Sequence, residues 1–101
     1  MFYQNFAGQQ NVGPNQTQLV NVPSCPAGSQ MIDFGGFLGT GDTTSEFRGT
    51  NGFTGGGQLE IRNSGSTTVS VTTWTLCGSS TPIAADAEPP LPGPAAEGEA
   101  G

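Results

Sequence analysis

Few side chains in this 101-residue sequence could carry a reaction. Four carboxylates, Asp33, Asp42, Glu46 and Glu60, lie in the body of the chain, with Arg48 and Arg62 as the cations and Cys25 and Cys77 as the thiols. Paired carboxyls about 5–10 Å apart around a cleft would suit glycoside hydrolysis, but a body this small leaves little room for a cleft. No His is present, so the commonest general base is missing, and no Lys, which removes Schiff-base chemistry and the cation of a phosphate loop. The run Asp42-Thr43-Thr44-Ser45-Glu46 could offer hard oxygens to Ca²⁺, yet its carboxylate spacing does not match the EF-hand loop and it reads as solvated. Two cysteines without His fall short of the four ligands of an ordinary zinc site. The expectation is no catalytic residue, no cofactor and no metal.

Two short motifs invite over-reading. Asp33-Phe34-Gly35 spells the magnesium-binding triplet of protein kinases without any companion motif, and the glycine run 35–41 lacks the strand-to-helix setting and Lys of a phosphate loop. Asn15-Gln16-Thr17 is a formal glycosylation acceptor that an unexported chain leaves unused. The cysteines leave two alternatives open. One is a disulfide closing a loop of about 50 residues, which constrains the unfolded chain by a few kcal/mol. The other is a pair of buried thiols.

The formal net charge is −6, and it is uneven. Residues 1–81 hold four acids against two arginines; residues 82–101 hold Asp86, Glu88, Glu97 and Glu99 and no cation. Affinity for a phosphate backbone rests on Lys and Arg, so nucleic acid is not an expected partner, and anionic membrane surfaces are disfavoured for the same reason. The first ten residues have neither a basic segment nor an apolar run, which argues against a secretory signal. A composition rich in Thr, Ser, Asn and Gly nonetheless suits an extracellular β-protein. The opening Met favours an intact reading frame, and with it a virion protein released by lysis.

The elements that would position these residues read as β. Thr17–Val22 is a strand candidate ended by the turn cluster 23–28, and Gln30–Phe34 is a second. Residues 35–57 contain nine glycines and read as loops around short pieces of strand. Gln58–Arg62 alternates strictly, with Leu59 and Ile61 inward and Gln58, Glu60 and Arg62 outward. A turn at 63–66 and a β-branched run, Thr67–Leu76, complete an expected hairpin. Val69, Val71 and Cys77 share one parity and Trp74 and Leu76 the other. Either a bulge near Thr72–Thr73 turns Trp74 to the core, or the strand is covered on both faces. The expected core is Leu59, Ile61, Val69, Val71 and Trp74. No window carries an apolar stripe at helical spacing. The expected fold is therefore all-β: a small β-sandwich or barrel of about five to seven short strands.

The two ends differ from the body. Residues 1–16 read as a docking arm, with Phe2, Tyr3 and Phe6 as aromatic anchors. Residues 17–81 form the β-body. Residues 82–101 are rich in Pro, Ala and acid, and Pro89, Pro90 and Leu91 lie in a polyproline stretch suited to docking. Leu, Ile, Val and Phe together number 19, so the core is thin and docking would complete it.

This plan of arm, β-body and acidic tail resembles the decoration, or cement, proteins of tailed-bacteriophage heads. The resemblance implies a non-enzymatic structural protein on the capsid exterior, with the major capsid protein and neighbouring copies of itself as partners, as a homo-oligomer on a larger assembly. Two alternatives stand beside it. One is a head-fibre or tail-fibre component, although no repeat is visible. The other is a secreted carbohydrate-binding module using Trp74 and Tyr3 as stacking platforms.

Overall fold

Alternation with a period of two is clearest in the two central strands of this chain, where Ile61 in one, and Val71, Thr73 and Thr75 in the other, are buried between less buried neighbours. The computed structural model describes residues 1–53 and 55–83; Pro89, Pro90 and Leu91, and with them the expected docking role of the tail, lie outside the described residues. The fold is an all-β sandwich of six antiparallel strands: β1 (Phe2–Val12), β2 (Gln16–Asn21), β3 (Gln30–Leu38), β4 (Ser45–Phe53), β5 (Gly56–Asn63) and β6 (Val69–Ser79). They form a front sheet in the order β1-β6-β3 and a back sheet in the order β2-β5-β4.

The core lies between the sheets. Val20, Val22, Leu59 and Ile61 project from the back sheet or the chain just after it, and meet Val12 and Val71 of the front sheet. Phe34, Leu38 and Val69 pack against this cluster while remaining half-buried. The two longest strands, β1 and β6, run past the end of the back sheet. There the segment Val22–Pro26 covers the inner face of the front sheet, and all five of its residues are buried. Thr75 Oγ1 donates to the Pro23 carbonyl at 2.6 Å, and a disulfide joins Cys25 to Cys77. A second apolar cluster of Phe6, Cys25 and Cys77 forms around that bond, with Met31 and Ile83 against it. The cysteine pair is thus a disulfide across 52 positions of sequence.

Four connections change sheet, and three of them, β1–β2, β3–β4 and β5–β6, do so at the same end. Val12, Leu38 and Val69 end or begin their strands side by side in the front sheet, and Gln16, Ser45 and Asn63 do so in the back sheet. Asn63 holds these arches together. Its buried Nδ2 donates to the carbonyls of Thr67 at 2.8 Å, Gly13 at 3.1 Å and Val12 at 3.3 Å. Its Oδ1 accepts from Gly65 N–H at 3.0 Å and from Thr44 Oγ1 at 2.9 Å. One side chain therefore bonds to all three arches at this end. Asn15, the non-glycine residue with positive φ (54°) among those described, turns the first arch, where its Oδ1 accepts from Arg62 at 2.6 Å.

Several expectations are corrected. Residues 2–12 are not an arm but strand β1, paired without interruption to β6; its inward Phe6 and Val12 supply the apolar period that the intervening amides hide. The pair Gln58–Arg62 and Thr67–Leu76 is not a hairpin, because β5 and β6 lie in different sheets. Asn63 explains this, since its bonds to the neighbouring arches fold residues 64–68 across the sandwich. Residues 35–57 are mostly strand, the glycines lying where side chains cross: Phe34 rests on Gly57 and Leu59 on Gly36, so closely that a Cβ would come within 2.7 and 2.6 Å of them. Gln58 keeps the outward parity of Glu60 and Arg62 but is fully buried; it sits mid-sheet between Asn21 and Asn51 and accepts from Asn51 Nδ2 at 3.4 Å. Of the two alternatives for β6, the bulge near Thr72–Thr73 does not occur, since its pairing with β1 is unbroken; the bulges lie in β3, between Met31 and Asp33, and in β4, between Phe47 and Gly49.

Candidate functional site: the outer face of the front sheet

Strict alternation along β6 decides what this face carries. Val71, Thr73, Thr75 and Cys77 point inward and are buried, so Ser70, Thr72, Trp74, Leu76 and Gly78 point outward. Trp74 is therefore not a core residue. It is half-buried on the outer surface, because the unbroken register of β6 keeps it out of phase with the valines.

The pairing places the neighbours of Trp74. Ala7 and Gly35 flank it in one row, Asn5, Leu76 and Asp33 form the next, and Gln9, Thr72 and Phe37 the row on the other side. The indole lies across Gly35, so near that a Cβ there would sit 2.8 Å from Cζ2. With Ala7 and Gly35 beside it the ring has no tall neighbour in its own row, and lies flat against the sheet. Farther along, the extra residue of the β3 bulge turns Ile32 outward over Gly78, where a Cβ would meet Ile32 Cδ1 at 3.1 Å and Tyr3 Cδ1 at 3.4 Å. Tyr3 and Phe37 are each 62% exposed and Ile32 is 52% exposed. Phe37, Trp74, Leu76, Ile32 and Tyr3 thus run obliquely across one face. Its charged side chain is Asp33, whose Oδ1 accepts from the Phe34 N–H at 2.8 Å.

The residues singled out in the sequence divide accordingly. Tyr3 stays exposed on this face and Phe2 is exposed at the end of β1, whereas Phe6 is 6% exposed and belongs to the core, which removes it as a docking residue. Leu59, Ile61 and Val71 are core residues, and Val69 packs against them. Ile32 and Phe37 were missed. The Phe37 position follows from counting alternation through the glycines, but a bulge such as that at Ile32 leaves no mark in the sequence.

Other surfaces offer less chemistry. A groove of about 460 Å³ opens between the edges of β3 and β4, with Leu59 and Gly36 at its floor, Phe47 on its wall and Arg48 at its rim. Arg48 is engaged by Glu46 at 3.2 Å, and both are exposed. Asp42 caps its own loop. Its Oδ1 accepts from the N–H groups of Thr44 and Ser45, each at 3.0 Å. Burial pushes the Asp42 carboxyl up, but the hydrogen bonds from Ser45 and Thr44 outweigh it and hold the group below the usual carboxylate range. Among the described residues no group of three or more His, Cys, Asp or Glu side chains could hold a metal ion, and no helix is long and apolar enough to cross a membrane. No protein-family model, curated protein or solved structure matches the chain.

Proposed function

We propose that this chain is a non-enzymatic structural protein that attaches to the exterior of a larger protein assembly, as the decoration proteins of tailed-phage capsids do, with the outer face of the front sheet as its contact. The observation that carries the reading is the oblique row Phe37, Trp74, Leu76, Ile32 and Tyr3 on an open sheet face with one charge. Contiguous exposed apolar surface marks interaction sites, and aromatic residues are the usual anchors of protein interfaces. The remaining described charges, Asp42, Glu46, Arg48, Glu60 and Arg62, lie on the back sheet or in an arch, where they keep the distal side hydrated. A Cys25–Cys77 disulfide fits a virion or extracellular setting, since such bonds persist in oxidising surroundings.

The test is co-sedimentation with phage heads purified from the same source. Trp74→Ala and Phe37→Asp should each weaken binding by at least about tenfold, the loss of one anchor worth roughly 1.4 kcal/mol or more. Glu46→Ala, on the back sheet, should bind as the parent does. Folded Trp74→Ala and Phe37→Asp proteins with undiminished binding would refute the assignment of this face.

One observation favours a second reading. Trp74 lies flat on Gly35 with Asn5, Gln9, Thr72 and Asp33 around it, the arrangement of a ring platform bordered by hydrogen-bonding groups. In this reading the face stacks a neutral sugar ring, and indole fluorescence shifts on a glycan panel. An unmoved emission band across the panel removes it.

A further inference from the structure

A sandwich of two three-stranded sheets has four edge strands, and an edge exposes N–H and C=O groups to any strand that fits. Natural sheets blunt such edges with charge, bulges, proline or short length. Three edges here are blunted. β3 carries a bulge and Asp33, β4 carries a bulge with Glu46 and Arg48 at it, and β2 is six residues long. β1 is different: it runs eleven residues, without a bulge in its register, without proline and without one charged side chain. Both edge strands of that flank, β1 and β2, lack charged side chains, because the first in the sequence is Asp33; the guanidinium of Arg62 reaches only the arch between them, at Asn15.

We propose that β1 is a self-association edge, at which two copies of the chain pair their β1 strands antiparallel about a two-fold axis through Ala7, joining two front sheets into one. The orientation of the backbone comes from Gln18, whose Nε2 donates to the Asn11 carbonyl at 2.9 Å across the edge. The carbonyl of Asn11 therefore points away from β6, and so do the N–H and C=O groups of Gln9, Ala7, Asn5 and Tyr3, which share its parity. Centred on Ala7, Asn5 of one copy faces Gln9 of the other, and Ala7 faces Ala7. The facing pairs Asn5–Gln9 and Ala7–Ala7 each exchange both main-chain bonds, and the pairs between them exchange none.

The side chains of Phe2–Val12 are self-complementary in that register. On the outer face Asn5 meets Gln9 and Tyr3 meets Asn11. On the inner face Gln4 meets Gln10, bulky Phe6 meets Gly8, and Phe2 meets Val12. The flank supplies the electrostatic condition as well. Two molecules of net charge −6 repel at long range, and a contact built on an edge strand without charged side chains keeps the described acids of the copies apart. The proposal does not rest on the capsid reading, although pairing would place the Tyr3 and Trp74 rows of both copies on one continuous face.

Sedimentation velocity of the full chain over a concentration series tests it. The parent protein should show a concentration-dependent monomer–dimer equilibrium. Ala7 is exposed on the outer face, so Ala7→Lys leaves the fold intact and sets like-charged side chains directly opposite across the axis, their Cβ atoms about 5 Å apart. Ala7→Lys and Ala7→Glu alone should each dimerise at least about tenfold more weakly than the parent, and an equimolar mixture of the two should dimerise again. Ala7→Pro, which deletes an N–H that β6 does not use, should also be monomeric with an unchanged circular dichroism spectrum. A parent that stays monomeric throughout, or substituted chains that associate as the parent does, overturns the proposal; a mixture that remains monomeric overturns the two-fold register.

Discussion

Replacing Asn63 by alanine should be among the most damaging substitutions outside the apolar core. The side chain is fully buried, and its amide bonds to Val12, Gly13, Thr67, Gly65 and Thr44. Its two N–H bonds serve three carbonyls, so the Val12 contact at 3.3 Å shares a hydrogen, and about four bonds count. A net bond contributes about 0.5–1.5 kcal/mol. The arch end admits water to the partners left behind, which favours the lower half of the range, a loss of about 3 kcal/mol. For a domain of this size that corresponds to a melting point lower by roughly 12–24 °C. Urea unfolding should show a reduced midpoint with an unchanged slope.

Asn63→Asp separates the hydrogen-bond argument from simple loss of volume. One oxygen still accepts from Gly65 and Thr44, while the other faces three carbonyl oxygens. The carboxylate is destabilised there, so the folded-state pKa rises above the unfolded one. The penalty is present while the group is ionised and fades as pH falls through the raised value. Asn63→Asp should therefore be less stable than Asn63→Ala at pH 7 and regain ground on it in acid. Asn63→Ala within about 0.5 kcal/mol of the parent, the range of an ordinary surface change, would refute the claim that this side chain ties the arches together.

Other expected outcomes concern single features. Cys25→Ser with Cys77→Ser removes a link across 52 positions, worth about 4 kcal/mol in the chain-entropy treatment, and chemical denaturation with and without reductant should give the same difference for the parent. Gly36→Ala places a methyl 2.6 Å from Leu59 Cδ1 and 3.0 Å from the Thr72 carbonyl, so unfolding should show a loss of about 1–3 kcal/mol from overpacking. Asp42 has a lowered pKa in the folded chain, so its contribution is complete above the unfolded value and lost as pH falls through the folded one. The stability gap between the parent and Asp42→Asn should accordingly close in acid, as followed by urea unfolding at a series of pH values.

The β class was legible because Leu59 and Ile61 alternate with polar residues and Val69, Val71, Thr73 and Thr75 form one β-branched row. Pairing was not. Two strong strands separated by a short polar segment look like a hairpin, and only the five bonds of Asn63, most to residues distant in sequence, turn that segment into a crossover. β1 was illegible for another reason: amides and glycine fill most of its inward and outward positions, so a strand resembles a polar tail. The candidate face was half visible. The parity of Trp74 and Leu76 against Val69 and Val71 already set them on the opposite side of β6, while Ile32 reached that side only through a bulge. The disulfide was readable as a possibility from two cysteines and became definite only when β6 and the 22–26 segment were brought together.

The topology also sets an order of events during synthesis. β1 and β3 both pair with β6 alone, which follows every strand of the back sheet in the sequence, so a ribosome-bound chain that has reached residue 63 can assemble the back sheet but has no ladder for either front strand. Cys25 likewise waits for Cys77. Until the final dozen or so residues of the body emerge, the nascent polypeptide carries an uncharged, unpaired β1, the situation in which chains stray into wrong partners. Closure of the sandwich is thereby deferred until β6 has been made.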